Sequence, residues 1–195
     1  MSNETIIWFF NILVYGFCYS SVLSYILSLF KSKKVKLLND SFYNYSIKTI
    51  RIIAIFYFFY YLFSTIYFYS TEENTFFSNR ATGPYWWAYW IMLLRPFIFC
   101  LLIQLFWFKR FQRKNFLNFI LILIIFIIVL ASGPNLERYI IFITSWHRDY
   151  APNNFEIDGV EYNLVFILFL GIIERLLIYS GLVFLVRFIS LRANK

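Results

Sequence analysis

The feature that most limits what this chain can fold into is a series of five long apolar stretches. They cover residues 5–30, 49–69, 85–108, 116–146 and 162–188. A helix needs about 20 apolar residues to cross the hydrocarbon layer of a bilayer. Hydrophobic residues make up 61% of the chain and charged residues only 14%, which is more apolar surface than a soluble core of this size could bury. The sequence therefore predicts an all-α integral membrane bundle of about five transmembrane helices, forming a single domain over residues 1–195.

The fourth stretch, residues 116–146, is long for one crossing and contains Gly133-Pro134 near its centre. A proline inside a helix removes one backbone hydrogen bond and kinks the helix. We interpret this stretch as one kinked and tilted helix. Two half-spans around a re-entrant break are the alternative.

The charges in the connections predict how the helices are oriented. Thirteen lysines and arginines lie on one side, in the connections between the first and second stretches and between the third and fourth, in the tail after the fifth, or at the span ends beside them, whereas two lie on the other side. Basic residues favour the cytoplasmic side of a membrane, or the equivalent inner side. The chain is therefore expected to have its N-terminus outside and its C-terminus inside.

Five charged residues fall well inside the predicted spans, away from their ends, and we expect them to form one buried cluster. They are Arg95, Glu137, Arg138, Glu174 and Arg175. The helical rise places three of them roughly 15 to 18 Å from the nearer end of their span, where an unpaired charge is costly. Adjacent residues on a helix point about 100° apart, so pairs should form between helices. We expect Glu137 to meet Arg175. Arg138 would then meet Glu174, with Arg95 as a fifth member. The cluster is either a proton or ion path or an ionic lock.

A second group, His147, Arg148 and Asp149, directly follows the fourth stretch. Histidine titrates near neutral pH and can pass protons, so this group is a candidate outer mouth of a proton path. An ordinary solvated loop is the alternative. The single histidine and the two cysteines make no metal or disulfide pattern, and no catalytic set is expected. No basic and aromatic block points to a nucleic-acid partner.

Four segments resemble a known family. They are NRATGPYWWAYW at 79–90, QLFWFK at 104–109, LERYII at 136–141 and TSWHRDYAP at 144–152. In this order they are similar to segments of the polysulfide-reductase-like (NrfD) membrane subunits of bacterial alternative complex III. Such subunits have about ten spans in two bundles, and this chain resembles the second half. Arg95 and the pair Glu174-Arg175 depart from the family pattern.

The resemblance implies a small, non-catalytic membrane subunit of a quinol-oxidising type of respiratory electron-transfer complex. Other membrane subunits and membrane lipids would be its partners, and haem, iron-sulfur clusters and quinone would be bound by partner subunits rather than by this chain alone. Glu137, Arg138, His147, Arg148 and Asp149 match family motif positions that are candidates for a proton route. The expected location is an energy-transducing membrane, either a bacterial inner membrane or a mitochondrial inner membrane. A stand-alone carrier for an ion or small molecule is the alternative function.

The predicted orientation can be tested with topology reporters. A reporter fused after Lys195 should lie on the inner side, and one inserted in residues 147–161 should lie outside, because of the charge asymmetry between the connections. Accessibility to a membrane-impermeant label measures both positions. If both reporters lie on the same side, the predicted five-span topology is wrong.

Overall fold

The computed structural model describes residues 3–30, 32–71, 81–83, 86–112, 114–131, 154–157 and 160–193. Its elements are α1 (Asn3–Ser28), α2 (Lys33–Thr71), α3 (Trp86–Gln104), a 3₁₀ turn (Leu105–Trp107), α4 (Lys109–Gln112), α5 (Phe116–Leu130), β1 (Asn154–Ile157), β2 (Val160–Asn163) and α6 (Leu164–Ala193). Among the described residues, the four helices α1, α2, α3 and α6 are long and apolar enough to cross a membrane. Helix α5 is apolar but shorter over its described length. The predicted helical membrane fold is confirmed at this level.

Helix α1 lies at the centre of the described bundle. It packs against α2, α5 and α6, while α3 packs against α2 and α5. Half of the most apolar window of α1 is buried, compared with 11% of the corresponding window of α6. The surface of α6 is therefore left for lipid or for another protein to cover.

Gly16 lets α1 and α6 approach closely. A Cβ atom at this position would lie 2.5 Å from the backbone oxygen of Arg175 and 2.5 Å from Cβ of Tyr179. Small residues allow helix backbones to come together in this way inside membranes. The phenol of Tyr179 then reaches across to α2, where its hydroxyl donates to the backbone carbonyl of Ser46 at 2.8 Å. Three helices thus meet around one glycine.

Helix α2 begins at Lys33, whereas the sequence analysis started the second span at residue 49, so the predicted connection before it is wrong over residues 33–48. The lysines at the start of α2 lower its mean hydropathy, so this part of the helix does not stand out in the sequence as an apolar stretch. Asn39, Tyr43 and Ser46 nevertheless recur at helical spacing and are all buried. Such a buried polar stripe is typical of an amphipathic helix whose inner face meets other helices.

The last membrane helix begins at Leu164, and not at Tyr162 as predicted, because Tyr162 belongs to a short antiparallel hairpin. The hairpin pairs Phe155 with Tyr162 and Ile157 with Val160. The two residues between its strands are Asp158-Gly159, a pair that is strongly favoured in two-residue hairpin connections. The Asp158-Gly159 pair therefore indicates a hairpin in the sequence alone.

The other span boundaries agree with prediction to within a few residues. Helix α1 covers the first predicted span, and α3 with its 3₁₀ turn covers the third. Helix α5 begins at Phe116 as predicted, and it is capped by Asn115, whose side chain accepts from the Asn118 backbone N–H at 2.8 Å. The predicted kink at Gly133-Pro134 and the rest of the fourth span lie outside the described residues.

Basic residues from several helices gather at one end of the bundle, which we call the basic end. Lys114 forms an ion pair with Asp40 at 3.0 Å, which joins the start of α5 to the first turns of α2. The guanidinium carbon of Arg51 lies 4.1 Å from the ring centroid of Trp107, at the end of the α3 segment. These contacts place the start of α5 against the first turns of α2, and the end of the α3 segment against the middle of α2.

The close contact at Gly16 predicts a strong effect of adding a single methyl group. Gly16→Ala should lower the free energy of unfolding by about 1 to 3 kcal/mol, because the backbones of α1 and α6 would have to separate. Gly181→Ala on α6 is the matched control, since its Cβ would meet nothing within 4 Å. Melting of the purified chain in mild detergent measures both. Equal melting temperatures of the two variants would contradict the close contact.

Candidate functional site

Two arginines that were predicted from the sequence lie near Tyr15 inside the bundle: one shares a hydrogen-bond acceptor with it, and the other lies over its ring. Nη1 of Arg95, on α3, donates to the Val129 carbonyl oxygen at 2.8 Å, and the Tyr15 hydroxyl donates to the same oxygen at 3.0 Å. On the other side, the guanidinium carbon of Arg175, on α6, lies 4.9 Å from the centroid of the Tyr15 ring. We call Arg95, Tyr15, Val129 and Arg175 the arginine cluster.

The position of the Val129 carbonyl explains why it attracts two donors. Helix α5 ends at Leu130 in the described structure, so Val129 lies in the last turn. The last carbonyls of a helix lack a partner in a following turn, and they carry the negative end of the helix dipole. A guanidinium from α3 and a hydroxyl from α1 therefore satisfy and neutralise this end of α5.

Arg175 is held by aromatic and backbone groups of α1. Its side chain is half-buried and lies over the Tyr15 ring, where the negative face of the ring attracts the cation. It also lies close to the Tyr19 hydroxyl, one turn further along α1. Its backbone passes Gly16 at the closest approach of the two helices. The arginine is therefore fixed at the point where α1 and α6 touch.

Glu174 occupies a different environment from its neighbour Arg175. Its side chain is exposed, and it forms no ion pair within the part of the chain that the structure describes. Glu137 and Arg138, its predicted companions in the cluster, lie outside the described residues, as do the three outer residues at 147–149. The two predicted cross-helix pairs and the outer mouth stay predictions.

The sequence analysis missed the neutral groups that hold the arginines. Tyr15 and Tyr19 lie in an apolar stretch, where aromatic residues are expected as packing, and a backbone carbonyl leaves no signature in a sequence. A cation near the middle of a span needs a partner of some kind, and an aromatic ring on a neighbouring helix can serve. The need of a mid-span arginine for a partner can be recognised from the sequence. The sequence does not show which aromatic ring lies near the arginine.

A second buried polar group lies nearer the basic end. The side chain of Asn118 is fully buried, and its oxygen accepts hydrogen bonds from the hydroxyls of Tyr25 and Tyr43. Its amide nitrogen donates to the Phe111 carbonyl. The amide thus joins α1, α2 and α5, and all of its described bonds are structural.

The chemistry of the arginine cluster follows from its charge. Two cations face a carbonyl, a hydroxyl and an aromatic ring, all of which are neutral, so the cluster attracts an anionic group. No group of three histidine, cysteine or acidic side chains that could hold a metal ion occurs among the residues the structure covers. Cys18 and Cys100 are buried and form no disulfide.

The helices and the buried charges define a multi-pass membrane protein. Comparisons with protein-family models, with curated proteins and with solved structures found no match for this chain. Its function must therefore be argued from its own residues.

The shared carbonyl predicts a non-additive pair of substitutions. Tyr15→Phe keeps the ring beneath Arg175 but removes one donor to Val129, and Arg95→Met removes the other. Each single change should cost about 1 kcal/mol, whereas the double variant should lose about 1 to 3 kcal/mol more than the sum, because the buried carbonyl is then left without these donors. Unfolding in mixed detergent micelles measures the three values. Simple additivity would show that the two donors do not share this acceptor.

Proposed function

We propose that this chain is a small, non-catalytic membrane subunit of a respiratory electron-transfer complex of the quinol-oxidising type. It crosses a bacterial or mitochondrial inner membrane five times, with its N-terminus outside and its C-terminus inside. Its main role is to hold helices and partner subunits together. The argument has three parts: the number of crossings, the exposed acid on α6 and the chemistry of the arginine cluster.

The ends of α5 and α6 support a fifth crossing. Helix α5 begins at the basic end, where Lys114 pairs with Asp40 of α2. Helix α6 reaches the same end with its C-terminal half, since Phe184 and Phe42 have ring centroids 5.6 Å apart. Its first residue, Leu164, lies 20 residues earlier and hence roughly 30 Å away. These positions support a path of the chain from one end of the bundle to the other between the starts of α5 and α6.

The observation that carries the subunit role is the exposed carboxylate of Glu174. It lies ten residues after the first residue of α6, so roughly 15 Å along the helix. Apolar side chains surround it on the same exposed surface, including Leu170 and Leu177, which are 46% and 63% exposed. A carboxylate that faces lipid at this depth costs several kcal/mol, whereas a polar or basic group of another subunit would offset that cost. Glu174 therefore marks the face of α6 that meets a partner.

The arginine cluster favours a structural role over a proton path. Arginine keeps its proton in proteins, so Arg95 and Arg175 cannot relay protons themselves. Their contacts instead connect α3 with α5 and α6 with α1. A contribution to proton movement would have to come from the acids, with Glu137 as the first candidate because two cations would attract its carboxylate.

The partner subunits supply the redox chemistry in this proposal. The four segments that resemble the NrfD-type subunits support membership of such a complex, in which haem, iron-sulfur clusters and quinone are bound by other chains. The aromatic residues that open α3 fit the outer membrane surface in this orientation, because tryptophan and tyrosine favour the interface. Trp86 and Trp87 are each 54% exposed, as interfacial anchors would be.

Replacement of Glu174 tests the proposed assembly. Glu174→Leu should reduce the yield of co-purifying membrane subunits several-fold, because it removes the polar group that a partner meets. Stability of the isolated chain should stay the same or rise, since leucine suits lipid better than a carboxylate. Purification in mild detergent from the native membrane, with mass spectrometry of the bound chains and spectra of haem, measures the yield.

The control is Leu168→Ala, an exposed apolar change on the same helix that should alter the yield little. If Glu174→Leu leaves the set of bound chains unchanged, α6 does not use this carboxylate at an interface. A chain that purifies alone as a homo-oligomer, with no redox partner, would overturn the proposal and favour the carrier.

A further inference from the structure

A wide cavity opens at the basic end of the bundle, away from the arginine cluster. Its volume is about 1110 Å³, and its walls come from the C-terminal end of α1, the first turns of α2, α4 and the start of α5. Membrane helices α1 and α5 end and begin here, so the cavity lies where the hydrocarbon layer meets the headgroups. The hydrogen bonds of Asn118 and the contacts of the arginine cluster do not account for this open cavity.

The charge of the cavity is positive. Three lysines, Lys36, Lys109 and Lys114, line it together with the single acid Asp40. The ammonium of Lys114 is held by Asp40 at 3.0 Å and lies 4.9 Å from the centroid of the Tyr43 ring. Lys36 and Lys109 are exposed, and neither forms an ion pair with the rest of the described chain. Two exposed cations thus border the cavity beside one that is held by an ion pair.

An apolar track leads away from the cavity along α5. Phe116 lines the cavity and is 75% exposed. Ile120, Ile124 and Ile127 follow at helical spacing and are 36%, 42% and 64% exposed. Because residues four and then three apart share one face of a helix, this row forms a continuous stripe from the cavity into the apolar layer. The stripe is about 16 Å long, close to half the thickness of a bilayer core.

From this arrangement we infer that the cavity binds the phosphate headgroup of an anionic phospholipid, with an acyl chain lying along the stripe on α5. Basic cavities between membrane helices on the inner side suit such headgroups, because lysines pair with the phosphate. The apolar stripe favours a lipid over a free phosphate ion, because a free ion has no acyl chain to lie along it. The inference rests on membrane insertion alone and not on the respiratory role.

Native mass spectrometry of the full chain in mild detergent tests this inference. The protein is titrated with phosphatidylglycerol, with phosphatidylcholine of the same acyl chains, and with water-soluble glycerol 3-phosphate. Phosphatidylglycerol should bind the first site at least tenfold more tightly than the other two. Combining Lys36→Gln with Lys109→Gln should weaken that site about 25-fold, because each basic residue near a membrane surface contributes a factor of about five.

The matched control combines Lys33→Gln with Lys34→Gln, which removes two positive charges from the start of α2 without changing a residue of the cavity wall. It should leave the first site within about threefold of the unchanged chain. Equal weakening by both double variants would overturn the inference in favour of diffuse surface attraction. Binding of glycerol 3-phosphate as tight as that of phosphatidylglycerol would instead identify a site for a soluble anion. Melting of the lipid-free variants confirms that all of them are folded.

Discussion

Polar groups inside a membrane cannot form hydrogen bonds with water, and this constraint governs how the described helices pack together. Each unsatisfied donor or acceptor in hydrocarbon costs several kcal/mol. The central helix α1 therefore carries its polar side chains toward other helices: the Ser24 hydroxyl donates to the side-chain oxygen of Asn39 on α2 at 2.6 Å. Tyr15 bonds a carbonyl of α5 from the same helix. These bonds fix the register of the bundle more sharply than apolar contacts could, because they tolerate little displacement.

The same constraint explains the different environments of two neighbouring residues on α6. Arg175 points toward α1, where an aromatic ring and the close approach at Gly16 shelter it. Glu174 is exposed about 100° further round the helix. A helix that carries adjacent charges in its apolar part cannot bury both against one neighbour. The face of α6 that carries Glu174 is, in our proposal, covered by another subunit.

The sequence predicted the helical membrane class and most of the described span boundaries well, because long apolar runs directly reflect lipid as the solvent. The prediction from sequence was wrong where a helix is covered by other helices of the protein rather than by lipid. The first sixteen residues of α2 combine exposed lysines with a buried polar stripe, and their mean composition resembles that of a loop. The hairpin before α6 was missed for a different reason. Its turn signal, Asp158-Gly159, is only two residues long, whereas a membrane span is recognised by a long apolar stretch.

The sequence by itself shows that Arg95 and Arg175 are cations within apolar runs, and it therefore predicts that each needs a partner. Tertiary structure alone decided what they contact, since the acceptor of Arg95 is the backbone carbonyl of Val129, and backbone groups are the same at every position. It also decided that Lys36 and Lys109, which are far apart in the chain, border one cavity. A sequence fixes which groups need partners, whereas the partners are chosen by helices that meet only after folding.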